Sequence, residues 1–139
     1  MRSFIAFLFL FSLLVSCKKE TEDIIWQRSF GSGNALFIKA TSDSGFISCG
    51  ELNGKPYLVR LSREKSTLFD FTSERNGLFS SGWSDDSCSI AAGSSDGKML
   101  LTRINNYGNQ VWDTTITASF NLDVTSLCYT GAGEFLAIG

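Results

Sequence analysis

The sequence contains no histidine, one proline and two methionines, and only 19% of it is charged. Without imidazole, no histidine can act as a base for a serine nucleophile or as a metal ligand. One proline and 13 glycines in 139 residues exclude a collagen-like or proline-rich chain. Charge is too sparse and aromatics, at 13%, too frequent for disorder. The 12 basic and 14 acidic residues are scattered and sum to −2, so no nucleic-acid-binding surface is indicated. The length suits one domain rather than two.

The N-terminus stands apart. Arg2 is the one charge before twelve uncharged residues, 4–15. At about 1.5 Å per residue that run falls short of the roughly 30 Å of a bilayer core, and it has the size of a signal-peptide core. It ends in Leu14-Val15-Ser16-Cys17, which resembles the lipobox of bacterial lipoproteins: a branched apolar residue, a small residue before the cut, then cysteine. The resemblance implies that residues 1–16 are a signal peptide and that Cys17 is the lipid attachment site. The Cys17 thiol takes a diacylglycerol, and the new amine is acylated after cleavage. The membrane partner is then lipid itself, reached through acylated Cys17. Two or more acyl chains give stable anchoring where one gives marginal binding. Residues 17–23, with Lys18-Lys19-Glu20-Thr21-Glu22-Asp23, are polar, lack apolar periodicity and read as a flexible lipidated tether. Lys18 after the cysteine implies, by lipoprotein sorting rules, passage beyond the inner membrane. The Ser-Cys-Lys-Lys-Glu opening is similar to lipoproteins of the Bacteroidetes group. The expected location is the cell envelope, at the outer membrane.

Cys49, Cys88 and Cys128 remain, an odd number whose spacings of 39 and 40 fit no zinc pattern. Each lies in an apolar stretch, where a free cysteine behaves as a small hydrophobe. Three buried thiols are expected; one bridge plus one free thiol is the alternative.

The rest of the chain, residues 24–139, repeats with a period of 43. Trp26, Phe69 and Trp112 share that spacing, as do Asp43 and Asp86, Ile47 and Ile90, Gly50 and Gly93, Tyr57 and Leu100, Arg60 and Arg103, and Leu61 and Ile104. With three extra residues a third copy follows: Thr41 and Ser84 match Thr130, Phe46 matches Phe135, and Gly139 matches both glycines. Each unit predicts four short strands, at 36–41, 45–50, 56–62 and 67–72, then 78–84, 87–93, 99–105 and 110–116. A half unit follows at 123–139 with strands 123–130 and 134–139. In the first strand Leu36, Ile38 and Ala40 are expected to point inward. Asn53-Gly54 is a strong hairpin signal because a type I′ turn needs positive φ at both central residues. No 3.6-residue periodicity follows residue 24, so helix content should be very low.

Four strands per 40–45 residues is the pattern of a β-propeller blade. The stretch Arg103-Ile104-Asn105-Asn106-Tyr107-Gly108-Asn109-Gln110-Val111-Trp112 resembles an element of bacterial quinoprotein-like and WD40-like propellers, and Asp43-Ser44-Gly45-Phe46-Ile47-Ser48-Cys49-Gly50 resembles another. The sequence departs from that pattern at Arg63-Glu64-Lys65, where a turn glycine is usual, and at Cys88, which stands where Gly45 stands. The expected fold is all-β: a partial propeller of about two and a half antiparallel blades, at 36–72, 78–116 and 123–139. Residues 24–30 repeat the fourth-strand motif and read as a closing strand. Trp26, Phe69 and Trp112 should then fill equivalent slots between blades, as packing rather than as an aromatic ligand cage. Even four blades of this length need about 170 residues, more than residues 17–139 provide. The chain is therefore expected to be the N-terminal piece of a longer protein. An open stack of sheets that dimerises is the alternative.

Chemistry is sparse. Gly31-Ser32-Gly33 lacks the third glycine of a dinucleotide loop and reads as a plain loop. Asp85-Asp86 is the one adjacent carboxylate pair and reads as a turn rather than a hard-cation site. No catalytic, cofactor-binding or metal-binding residue is nominated, and no cofactor is expected. Two readings remain: a lipid-anchored, non-catalytic module that binds a protein or glycan or acts as a scaffold, or the front part of an exported propeller enzyme whose catalytic residues lie in further blades.

Overall fold

The computed structural model describes residues 31–119 and 122–139. The proposed signal peptide, Cys17, the tether, Trp26 and the closing strand 24–30 lie outside the described residues. Within them the fold is all-β. The first sheet holds β1 (Asn34–Ala40), β2 (Phe46–Leu52), β3 (Lys55–Leu61) and β4 (Thr67–Thr72). The second holds β5 (Leu78–Ser84), β6 (Cys88–Ser95), β7 (Lys98–Asn105) and β8 (Gln110–Ile116). The third pairs β9 (Ser126–Gly131) with β10 (Glu134–Ile138). Every pairing is antiparallel, and in both larger sheets neighbours in sequence are neighbours in space.

Turn chemistry sets these boundaries. Asn53 and Gly54 both have positive φ, 55° and 77°, and Asp96 and Gly97 repeat the geometry at 50° and 74°. These are the mirror-image turns whose twist matches that of the flanking strands. The carbonyl of each hairpin glycine then ties one sheet to the next. Gly77 donates its N–H to the Gly54 carbonyl at 2.9 Å, and Leu122 donates to the Gly97 carbonyl at 3.1 Å.

The repeat glycines perform one task three times. A Cβ on Gly50 would stand 1.9 Å from the Asn34 carbonyl oxygen. On Gly93 it would stand 1.9 Å from that of Leu78, and on Gly139 1.9 Å from that of Asp123. At each place the second strand of a sheet runs too close to the incoming backbone for any side chain. In the two larger sheets the register between the first two strands also slips beside that glycine, at Ala35/Phe37 and at Phe79/Ser81. A second slip recurs at a spacing of 43, at Arg60/Leu61 and Arg103/Ile104.

The sheets stack face to face. β5 lies across the first sheet, and β9 lies across β5 and β6. Ile47, Cys49 and Leu58 meet Phe79, Ala91, Leu100 and Ile104 in one core, flanked by Phe37, Phe69 and Phe71. The second core joins Ile90 and Ala92 to Val124 and Leu127, flanked by Trp83, Leu101, Phe135 and Ala137. Ile90, Ala92 and Leu101 are the 43-residue counterparts of Ile47, Cys49 and Leu58, so one face of each sheet plays the same role in turn. Each such aliphatic side chain, fully buried, contributes about 1.5–3 kcal/mol.

Three expectations are corrected. Leu36, Ile38 and Ala40 do not point inward; all three are exposed, and Phe37 faces the core. The second sheet covers the face that carries Phe37, Cys49 and Leu58. Cys49 and Cys88 are buried free thiols, but Cys128 is exposed because it lies on the outward face of the third sheet. Trp112 is not a core side chain; it is 41% exposed, whereas its counterpart Phe69 is packed beside the first core.

Candidate functional site

The first sheet–sheet junction is closed by a buried arginine. Arg60 sits in β3 with its side chain only 3% exposed. Its Nη2 donates to Asp43 Oδ2 at 2.7 Å, its Nε to Ser84 Oγ at 3.0 Å, and its Nη1 to the Leu61 carbonyl at 2.6 Å and the Phe46 carbonyl at 3.3 Å. Asp43 belongs to the β1–β2 turn and Ser84 to the end of β5, so one guanidinium fastens its own sheet to the next. Burying a charge is costly unless it is paired and hydrogen-bonded, and here it is both. The Thr41 hydroxyl and Arg60 hold the Asp43 carboxyl down to about 2, from an ordinary 3.8. The recurrence of Arg60 and Arg103 amid apolar strand residues was the sequence signal for this clamp, but spacing alone does not name its partners.

At the second junction the clamp stays open. Arg103 is exposed, and its charge acts on Asp85. One difference in sequence bears on this. A Cβ on Gly45 would stand 2.3 Å from the Leu61 carbonyl oxygen and 2.5 Å from Arg60 Nη1. At the matching position the second sheet carries Cys88, so a guanidinium placed like that of Arg60 would meet a side chain there. The β5–β6 turn is instead organised by Asp85, whose Oδ1 accepts the Ser87 N–H at 2.8 Å, the Ser87 hydroxyl at 2.7 Å and the Cys88 N–H at 2.9 Å. Burial raises the Asp85 pKa, but these bonds and the Arg103 charge outweigh it and leave the group below its ordinary value. The turn reading of Asp85-Asp86 thus falls on Asp85. Asp85, not Asp86, takes the backbone-bonding role of Asp43.

The open junction leaves a groove of about 330 Å³ between the second and third sheets. Trp83, Trp112, Tyr129 and Phe135 give it aromatic walls, and Arg103 and Asp85 give it charge. Trp83, Tyr129 and Phe135 pack on one another in tilted and edge-on geometry, with ring centroids 4.6–5.2 Å apart. They form one packed wall rather than a cage around an empty centre. Trp112 faces the groove separately. Such a lining offers a flat apolar surface with one guanidinium beside it.

The remaining sequence candidates fall elsewhere. Gly31-Ser32-Gly33 precedes β1 as irregular backbone. Tyr57 donates to Asp70 Oδ2 at 3.4 Å, and burial, then Asp70, pushes its pKa up to about 12. Cys17 is outside the described residues. In comparisons with known proteins, no family model matches the chain and no curated protein matches it.

Proposed function

We propose that this chain is a lipid-anchored protein of the cell envelope, held at the outer membrane through acylated Cys17, whose repeat sheets form part of a β-propeller. The repeat domain serves there as a non-catalytic binding or scaffolding module for a protein or glycan. The observation that carries the anchoring is Leu14-Val15-Ser16-Cys17, placed after an uncharged run and before a polar tether. The propeller reading is supported by four-stranded sheets repeating every 43 residues and stacking on one face after another. It is also supported by contacts of β1 with β5 and of β5 with β9, since the first strands of blades converge on a common axis. The binding reading is supported by the ring-lined groove beside Arg103, whose neighbours suit recognition.

Metabolic labelling with an alkyne fatty acid tests the anchor. Wild-type protein should carry the label in the membrane fraction, and Cys17→Ala should lose it. Equal labelling of both proteins rules the anchor out.

A further inference from the structure

Asn53-Gly54 and Asn76-Gly77 are Asn-Gly pairs. A glycine after asparagine leaves its backbone nitrogen open to attack on the neighbouring carboxamide, because no side chain stands in the way. Both asparagines are exposed, but the two glycine nitrogens are held differently. The Gly54 N–H donates to the Glu51 carboxylate at 2.8 Å, a solvent-exposed contact that a rotation of Glu51 releases. The Gly77 N–H donates to the Gly54 carbonyl at 2.9 Å, a backbone bond that yields only when the two sheets part. A Cβ on Gly54 would meet nothing within 4 Å, whereas one on Gly77 would stand 2.0 Å from the Ser94 carbonyl oxygen. Gly54 thus sits at an open hairpin tip, and Gly77 is wedged against β6. The 43-residue counterpart of Asn53-Gly54 is Asp96-Gly97. It forms the same kind of turn, and its glycine carbonyl makes the matching tie to Leu122. The second unit therefore already carries the acid that Asn53 becomes on losing its amide.

We propose that Asn53 is a site of spontaneous deamidation in the folded protein, that Asn76 is shielded from it, and that the isoaspartyl product cuts the tie between the first two sheets. The Gly54 nitrogen attacks Asn53 Cγ. An N–Cγ bond forms, the Cγ–Nδ2 bond breaks, and ammonia leaves with the proton of the Gly54 N–H. Water then opens the cyclic imide. Attack at Cγ gives aspartate, and attack at the Asn53 main-chain carbonyl gives isoaspartate. Water is the only co-reactant, and nothing is oxidised or reduced. The aspartate product reproduces the Asp96-Gly97 turn and keeps the Gly54 carbonyl on Gly77. The isoaspartate product adds a methylene to the main chain inside a two-residue turn. The Gly54 carbonyl then leaves the Gly77 N–H, and the junction between the sheets loosens as the protein ages.

The full chain in detergent micelles is held at mildly alkaline pH, sampled over days, digested and mapped by mass spectrometry. The Asn53 peptide should exchange amide for carboxyl at least ~10-fold faster than the Asn76 peptide, because Gly77 reacts only from a locally opened state. In urea the two rates should converge. Equal native rates, a faster Asn76, or an Asn53 that reacts only in urea overturns the proposal. Hydrogen exchange at the Gly77 amide reads the consequence. Asn53→Asp should melt with the wild type and keep that amide protected, and the isoaspartyl form, separated by chromatography, should lose the protection. An isoaspartyl form that keeps it overturns the cut tie. Loss of protection in Asn53→Asp as well overturns it too, since the new charge and not the added methylene is then the cause.

Discussion

Gly108 lies against the ring-bearing carbon of Phe69, so closely that a Cβ on Gly108 would stand 2.8 Å from Phe69 Cβ. Gly108 also has φ +84°, a conformation that side chains resist. The matching turn of the first sheet has Lys65, with φ 65°. Backbone strain is therefore tolerated at this turn, and the glycine of the second unit answers a steric demand from the preceding sheet. Gly108→Ala should cost about 2–3 kcal/mol by combining overpacking with strain. Gly133→Ala, with φ +82° but open space around it, should cost about 1 kcal/mol. Urea unfolding of both variants checks the ranking, and equal losses would discredit the contact.

The Arg60 clamp makes stability depend on acid. Asp43 is held down to about 2 in the fold against 3.8 when free. The fold therefore binds fewer protons than the unfolded chain between those values. The stabilisation is fully present above about pH 4 and is lost as the pH falls through about 2. Denaturant midpoints between pH 2 and 7 should show this limb, and Asp43→Asn should flatten it.

Gly45→Cys imports into the first sheet the residue that stands at the same place in the second. It should displace the Arg60 guanidinium from Asp43 and Ser84 and crowd the Leu61 carbonyl, at a cost of about 3–5 kcal/mol. The acid limb due to Asp43 should shrink with it. An unchanged midpoint would separate Arg103's exposure from Cys88.

Burial ranks the aromatic rings. Phe79→Ala removes a fully buried ring from the first core and should cost about 3–5 kcal/mol. Trp112→Ala should cost clearly less, because the ring is half open to solvent. Thermal melts of the two variants, read side by side, test the ordering.

Thiol access follows from the same burial. Burial pushes the Cys49 thiol well above its ordinary pKa, and the thiolate is the reactive form. A maleimide should label Cys128 in the native protein and reach Cys49 only on unfolding. Gly82→Ala should destabilise, since its Cβ would stand 2.6 Å from Cys49 Sγ. Cys49→Ala should relieve part of that loss in a double-mutant cycle.

The sequence exposed the strands because turn residues and a 43-residue spacing are local signals. β4, β5 and β8 lie where alternation and turns place them, and Asn53-Gly54 forms the expected turn. It misjudged which face of β1 is buried. Leu36 and Ile38 look as apolar as Phe37, and only the position of the neighbouring sheet decides between them. Trp112 misled for a related reason. Its match with Phe69 is sound, but burial depends on the turn that covers the ring, which is a property of the next sheet. The groove was illegible for the same cause. Its rings come from β5, β8, β9 and β10, four strands that no local signal brings together. The lipid-anchor motif is read from sequence alone and stands on chemistry outside the described residues.

Strand order within the two larger sheets follows chain order, so every pairing there is a hairpin closed over a short loop. Such closures cost little entropy and are fast, and contacts between sheets ask for separations of only about one repeat. Each unit can therefore gather its own strands during synthesis and present a finished apolar face as a template for the unit behind it. Pulsed hydrogen exchange during refolding should accordingly protect the β2–β3 and β6–β7 amides before the Gly77 and Leu122 amides that join one sheet to another.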